Sequence, residues 1–203
     1  AEFEGNTLVL SFNNPAPSGS LAGITIVLDP GHGGADSGTM AGQDTVEKTV
    51  NMIMAKKVKS ELEALGATVY MTRYDDSNPS LDQRVLIAHN HKADMMISVH
   101  HNSAGSNPVP NGVETYFNAP FSQPLAHYVQ AQLGQYLYNR GAKSSVPNYN
   151  FVVTREKQFP SILIEYGFLS NPEEEQKILD PYHQDNMARA TAQGVLDYYN
   201  ALR

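Results

Sequence analysis

The chain contains no cysteine, has no excess of basic residues and has no long apolar run. The lack of cysteine excludes disulfides, thiolate metal ligands and a cysteine nucleophile. The formal net charge of −7 argues against binding nucleic acid by charge attraction alone. No apolar run approaches the roughly 18 residues of a membrane-spanning helix, and no signal peptide is visible at residue 1.

The length and composition indicate one globular α/β domain, because 203 residues with 41% hydrophobic side chains can bury a sizeable core. The first 23 residues differ from the rest. "NTLVLSFNN" alternates like a short strand, and "PAPSGS" has the composition of a linker. We therefore predict an N-terminal extension and linker over 1–23 and the main domain over 24–203.

Strand and helix patterns alternate along the main domain. The predicted strands are 24–29, 67–72, 95–100, 113–117, 151–154 and 161–165. The predicted helices are 45–65, 81–91, 125–139 and 185–202. This alternation is typical of a twisted, mostly parallel sheet with helices on both faces.

A glycine-rich loop, "DPGHGGADSG", follows the first strand of the domain. It does not fit a dinucleotide fingerprint, because Asp36 stands where the third glycine should be. It does not fit a phosphate-binding P-loop either, because Thr39 stands where the lysine should be. The loop instead presents His32, and we expect the glycines to leave room beside this histidine.

Four side chains that can bind a metal or transfer a proton lie at predicted strand ends or helix starts: His32, Glu47, His100 and Glu165. In open α/β sheets, ligands gather beyond the carboxyl ends of the strands, so these groups are expected to converge. Two histidines and one carboxylate, with a fourth position left for water, form a known catalytic zinc set. A further carboxylate can then act as proton acceptor.

Each of these residues also has a structural interpretation. His32 fits a turn, and Glu47 fits a capping box with Asp44 at the helix start. His100 fits a hydrogen-bonded core histidine, and Glu165 fits a solvated strand end. The residues alone leave both interpretations open.

Five sequence blocks carry a resemblance to a known family. They are "IVLDPGHGG", "EKTVNMIMAKKVKSEL", "VYMTRYDD", "LDQRVLIAHNHKADMMISVHHNS" and "FPSILIEYGFLSN". In order and spacing they resemble the zinc-dependent N-acetylmuramoyl-L-alanine amidases, over about residues 24–202. The resemblance implies one zinc ion bound by His32, Glu47 and His100, with Glu165 as catalytic acid/base. It also implies a six-stranded mixed sheet surrounded by helices.

The resemblance implies hydrolysis of the amide between the lactyl group of N-acetylmuramic acid and the L-alanine of the peptidoglycan stem peptide. The expected partner is peptidoglycan, with no nucleic acid and no membrane span. We expect a monomer exported to the cell wall or periplasm, with its export signal outside this chain. Two alternatives are a zinc peptidase that cuts within the stem peptide and a non-catalytic wall-binding domain. Division, sporulation, autolysis and phage lysis all remain open as biological roles.

Substrate-binding candidates lie in or beside the matching blocks: Arg73, Arg84, Asn102 and Arg155. Arginine suits bidentate capture of carboxylates, of which stem peptides carry several. The alternative for Arg73 is a surface salt bridge to Asp75 or Asp76.

The family often has a small residue after the first histidine of its "S-[IV]-H-x-N" block, and this chain has His101. Neighbouring side chains of a strand point to opposite faces, so only one of His100 and His101 is expected to face the metal. No long inserted segment is evident between Glu47 and Glu165, so we expect an open site.

Overall fold

The computed structural model describes residues 2–4, 7–9, 18–42 and 44–203. The strands are β1 (Glu2–Glu4), β2 (Thr7–Val9), β3 (Thr25–Pro30), β4 (Thr68–Met71), β5 (Met95–Asn102), β6 (Val113–Phe117), β7 (Asn139–Ser144) and β8 (Ser161–Phe168). The helices are α1 (Glu47–Ala64), α2 (Leu81–Asn90), α3 (Gln123–Leu133), α4 (Pro172–Leu179) and α5 (Pro181–Ala201), with short 3₁₀ helices at Pro120–Ser122 and Val152–Arg155.

The main sheet has six strands in the order β4-β3-β5-β8-β6-β7. Every neighbouring pair is parallel except β6 and β8, which are antiparallel. Helices α1, α3 and α5 pack on one face, and α2 with the second 3₁₀ helix packs on the other. The predicted mixed α/β sheet with helices on both faces is confirmed.

One predicted strand is wrong, and another segment takes its place in the sheet. Residues predicted as a strand over 151–154 form the 3₁₀ helix Val152–Arg155, and Val153 packs into the core beneath α2. The sixth strand is β7, which falls at and beyond the end of the helix predicted over 125–139. Helix α3 ends at Leu133, and "NRGAKS" then forms an edge strand that pairs with β6 alone.

Helix α4 has no counterpart among the predicted elements. Its start is marked by Asn171, whose side-chain oxygen accepts hydrogen bonds from the N–H groups of Glu173 and Glu174. Pro172 follows at the first helical position, where its missing N–H costs nothing. This asparagine–proline pair is a helix-start signal that a search for long amphipathic patterns passes over.

The N-terminal segment forms a small antiparallel pair of β1 and β2. The strand predicted in "NTLVLSFNN" is confirmed for Thr7–Val9, and the start of the predicted linker lies outside the described residues. Packing of the main domain begins before residue 24, because Leu21 is fully buried in the core and its N–H donates to Leu65 O at 2.7 Å. None of the helices in the described part is long and apolar enough to cross a membrane.

Candidate metal centre

The carboxyl ends of β3, β5 and β8 lie side by side in the middle of the sheet. His100 and Glu165 are direct register partners on β5 and β8. His32 lies in the loop that leaves β3, and Glu47 opens α1. The sheet therefore brings together the four groups that the sequence analysis selected.

Three side chains form a compact group of possible metal ligands. Glu47 Oε1 lies 3.1 Å from His32 Nε2 and 3.1 Å from His100 Nδ1. One ligand atom from each of the three residues lies within 4.8 Å of the others. Two imidazole nitrogens and a carboxylate oxygen form a donor set that suits a transition metal such as zinc. The group could therefore bind a metal ion.

The glycines around His32 make room for the ligands themselves rather than for a substrate. A Cβ on Gly31 would lie 2.2 Å from His100 Nε2, and a Cβ on Gly38 would lie 2.5 Å from Glu47 Oε2. Gly38 also has φ +64°, a conformation that favours glycine. Each ligand side chain thus occupies space that only glycine leaves free.

Glu47 is not part of a capping box. Helix α1 begins after Val46 without a side-chain cap, and Asp44 makes no bond to the helix start. Glu47 Oε2 instead accepts a hydrogen bond from Thr39 N–H at 2.9 Å. Burial disfavours its charge, but hydrogen bonds from His100 and His32 outweigh this and hold the pKa of Glu47 well below its usual range. The carboxylate is therefore ionised, as a ligand must be.

His101 points away from the ligand group, as the alternation of side chains along a strand predicts. It is buried, and burial lowers its pKa to about 3, so the imidazole is neutral. His101 Nδ1 lies 2.8 Å from Asn51 Oδ1, and the Asn51 amide donates to Glu47 Oε1 and Gly31 O, each at 3.3 Å. Asn51 thus orients the ligand carboxylate, one helical turn after Glu47, a role that the sequence analysis missed.

Replacing Asn51 should weaken metal binding without unfolding the protein. Groups that orient a metal ligand typically contribute about 10–100-fold in affinity, so Asn51→Leu should raise the zinc Kd by that factor. Competition with a chelator measures the Kd, and a thermal melt of the metal-free variant checks the fold. Unchanged affinity in a folded variant would contradict this role.

Two arginines that were predicted to bind substrate instead hold the loop of His32. Arg84 and Asp29 form a buried ion pair at 2.7 Å, and the same guanidinium donates to Pro30 O and His32 O at 2.9 Å each. Its remaining bonds are to Pro79 O and Asn78 Oδ1. Because the protein's own acceptors use these donors, the structure argues against capture of a substrate carboxylate by Arg84.

Arg73 has a similar position on the other side of the loop. Its guanidinium is buried and donates to Pro30 O, Gly31 O, Lys48 O and Asp75 O. It reaches the backbone oxygen of Asp75 rather than its carboxylate, and the carboxylate of Asp76 pairs with Lys48 at 2.8 Å. The alternative of a surface salt bridge from Arg73 to Asp75 or Asp76 is therefore also wrong. Arg73 does not line the cleft, so it is corrected from a substrate-binding residue to a structural one.

Removal of the buried guanidinium should cost stability. Arg84→Ala leaves the Asp29 carboxylate buried without its cation, which typically costs about 3–5 kcal/mol of unfolding free energy. Urea unfolding of Arg84→Ala measures the loss, and Arg189→Ala, which removes an exposed arginine on α5, is the matched control. Equal stability of the two variants would contradict the structural role of Arg84.

Glu165 lies beside the ligand group and has a different environment. Its Oε2 is buried with no hydrogen-bond partner among the described residues. Burial raises the pKa of Glu165 to about 7. The nearby charges of Glu47 and Glu114 also raise this pKa, whereas His100 and His32 lower it. A carboxyl group with a pKa near neutrality can both accept and release a proton.

The four groups lie in a cleft of about 960 Å³. One wall is the start of α2 around Leu81, and the other wall is the segment from Tyr149 to Val153. The side chains of His32 and His100 are 23% and 20% exposed, so the ligand group is accessible from the cleft, as expected of an open site.

The other two substrate-binding candidates have different positions. Asn102 lines the cleft, where its Oδ1 accepts from Ser103 N–H at 2.7 Å. Arg155 does not line the cleft, but it donates two hydrogen bonds to the backbone oxygen of Asn150, which does. Contact of either residue with substrate stays a prediction.

Comparisons with known proteins agree with one another. The family model for N-acetylmuramoyl-L-alanine amidase (Amidase_3) matches residues 26–197. The chain is 35% identical to the N-acetylmuramoyl-L-alanine amidase LytC of Bacillus subtilis, with 92% of the chain and 39% of LytC covered. It is 34% identical to the probable cell wall amidase LytH of Staphylococcus aureus, with 93% and 63% covered. The chain thus spans less than two thirds of either curated relative.

Solved structures give the same result for the fold. The catalytic domain of CwlV, an N-acetylmuramoyl-L-alanine amidase of Bacillus (Paenibacillus) polymyxa var. colistinus, matches with a TM-score of 0.80 and 37% identity, over 86% of this chain and 97% of that one. An N-acetylmuramoyl-L-alanine amidase of Clostridium difficile 630 matches with a TM-score of 0.81 and 37% identity, over 89% and 97%. By its family match, its relatives and its fold, the chain belongs to the N-acetylmuramoyl-L-alanine amidase (Amidase_3) family.

Proposed function

We propose that the protein hydrolyses the amide between the lactyl group of N-acetylmuramic acid and the L-alanine that begins the peptidoglycan stem peptide. The observation that carries this proposal is the grouping of His32, Glu47 and His100 beside the unpartnered carboxyl group of Glu165 in an accessible cleft. Its support from other proteins is the family match and the amidase relatives.

We assign one zinc ion to His32, Glu47 and His100. The fit rests on the donor chemistry, since two neutral imidazoles and one ionised carboxylate are a common ligand set of catalytic zinc. When bound, zinc supplies a Lewis acid that activates water for attack and polarises the carbonyl group.

Glu165 carries the proton in the proposed reaction. Its unpartnered Oε2 accepts the proton that the attacking water loses, and Glu165 then delivers this proton to the amide nitrogen as the C–N bond breaks. Amide nitrogen is a poor leaving group unless it is protonated, so the second transfer matters as much as the first. The pKa of about 7 suits a group that must do both.

Digestion of purified peptidoglycan tests the proposal. Mass spectrometry should detect free peptides that begin with L-alanine, together with glycan strands that carry intact lactyl groups. Cleavage within the stem peptide would instead identify a zinc peptidase. No cleavage, together with protein that does not bind zinc near one-to-one, would identify a non-catalytic wall-binding domain.

We further propose that the protein acts outside the cytoplasm, in the cell wall or periplasm, as a monomer. Support comes from the relative in Staphylococcus aureus that is named a probable cell wall amidase. The net charge of −7 also argues against nucleic acid as the polymeric partner.

A further inference from the structure

A second, smaller cavity of about 400 Å³ adjoins the catalytic cleft. It lies between α2 and the segment from Val152 to Gln158, and Val152 lines both the cleft and the cavity. A chain that leaves the cleft over Val152 therefore enters this second cavity directly.

Two exposed cations line this second cavity, Arg155 and Lys157. Two hydrogen bonds to Asn150 O fix the guanidinium of Arg155, and its Nη1 has no bond to the described residues. The ammonium of Lys157 has no hydrogen-bond or ion-pair partner there either. A fixed guanidinium beside a second cation is well suited to bind a carboxylate.

Two acidic residues also line the cavity, Asp82 and Glu156, and among the described residues neither forms an ion pair with Arg155 or Lys157. Glu156 is buried and turned inward, where its Oε2 lies 2.8 Å from His89 Nε2. Its Oε1 accepts hydrogen bonds from the N–H groups of Lys157 and Gln158, each at 2.6 Å. Asp82 lies in the first turn of α2, on the opposite wall from the two cations, and its exposed carboxylate is the acidic group of the cavity that a bound anion must avoid.

The catalytic cleft itself offers no such cation. Apart from its histidines, Arg84 is the only basic residue among the described residues that line it, and its donors are used within the protein. Among the described residues, the second cavity that shares Val152 with the cleft therefore supplies the unpaired cations that the cleft itself does not.

We propose that the second cavity binds the distal, acidic part of the stem peptide, with its carboxylates paired to Arg155 and Lys157. This proposal rests on the proposed amidase function, and it adds the path of the bound stem peptide, which leaves the cleft over Val152. The peptide then runs in the groove between α2 and the 152–158 segment.

Two matched muropeptides test the proposal, one with free peptide carboxylates and one with the same carboxylates converted to amides. Wild-type protein should have the lower KM for the acidic muropeptide. Exposed ion pairs typically contribute about two- to fivefold each, so Arg155→Ala and Lys157→Ala together should reduce this preference by about four- to twenty-five-fold. In Lys157→Ala, the KM for the amidated muropeptide should stay unchanged. Arg189→Ala on α5 is the control.

The two variants separate binding from structure. Arg155→Ala also removes the hydrogen bonds to Asn150, so it can change the KM of both muropeptides. The side chain of Lys157 makes no hydrogen bond or ion pair with the described residues, so Lys157→Ala should change binding of the carboxylates alone. If Lys157→Ala and the double variant keep the full preference for the acidic muropeptide, the proposal is wrong. It is also wrong if both KM values rise equally in Lys157→Ala. If wild-type protein cleaves neither muropeptide, the amidase function itself fails.

Discussion

Glu165→Gln is expected to lower kcat on muropeptides by about 10²–10⁴-fold, the usual contribution of a general acid–base group. Glutamine keeps the size of the side chain but can neither accept nor release the proton. The variant should still fold and bind zinc, because Glu165 is not one of the three clustered ligands. Its substrate affinity should also remain.

Steady-state kinetics and zinc analysis of the purified variant check this expectation, with Glu173→Gln as a control for an exposed glutamate. A variant that keeps more than about a third of wild-type kcat would exclude the acid–base role, given the usual size of that contribution. Loss of zinc together with activity would make Glu165 a ligand.

Glu165→Gln also allows a second test, the pH dependence of the unfolding free energy of the metal-free protein. Burial raises the pKa of Glu165 from 4.5 to about 7, so the folded state prefers the protonated group. Wild-type protein should therefore lose stability as the pH rises from about 4.5 through 7. Glutamine mimics the protonated form, so Glu165→Gln should become the more stable protein above pH 7. The two should converge below pH 4.5.

His32→Ala and His100→Ala are each expected to abolish activity through loss of zinc. Changes to groups that only orient a ligand cost about 10–100-fold in affinity, so loss of a ligand should exceed about 100-fold. Glu47→Gln should behave similarly, because the amide lacks the charge that the two histidines now surround.

Metal analysis after dialysis measures the occupancy of each variant, and turnover is followed on the same samples. His127→Ala, which removes an exposed histidine on α3, is the matched control. Full zinc content and turnover in either ligand variant would show that the ion is held elsewhere.

The clustering of the site residues could be predicted from the sequence, because they lie at the ends of neighbouring strands of the sheet. His32 follows β3, and His100 and Glu165 lie near the carboxyl ends of β5 and β8; these three strands run parallel, so their carboxyl ends meet at one edge of the sheet. The roles of Arg73 and Arg84 could not be predicted, because only burial and hydrogen-bond partners distinguish a structural guanidinium from one that binds a ligand.

The sixth strand was predicted at 151–154, whereas it is β7 in the structure, and the sequence pattern again explains the error. An edge strand such as β7 needs few apolar residues, because it pairs on one side only. The apolar 151–154 segment, in contrast, packs its side chains onto the core without joining the sheet. An apolar sequence pattern indicates which residues are buried, but it does not distinguish a buried strand from a buried turn.

The hydrogen bonds from the two arginines to the loop of His32 bear on how the protein folds and binds its metal. Arg73 and Arg84 fasten this loop to the end of β3, and Asn51 fixes Glu47, all with bonds inside the polypeptide. Small zinc domains, by contrast, need the ion in order to fold. Because these bonds do not involve a metal ion, we expect the protein to fold without one, so a chelator should inactivate it reversibly rather than unfold it.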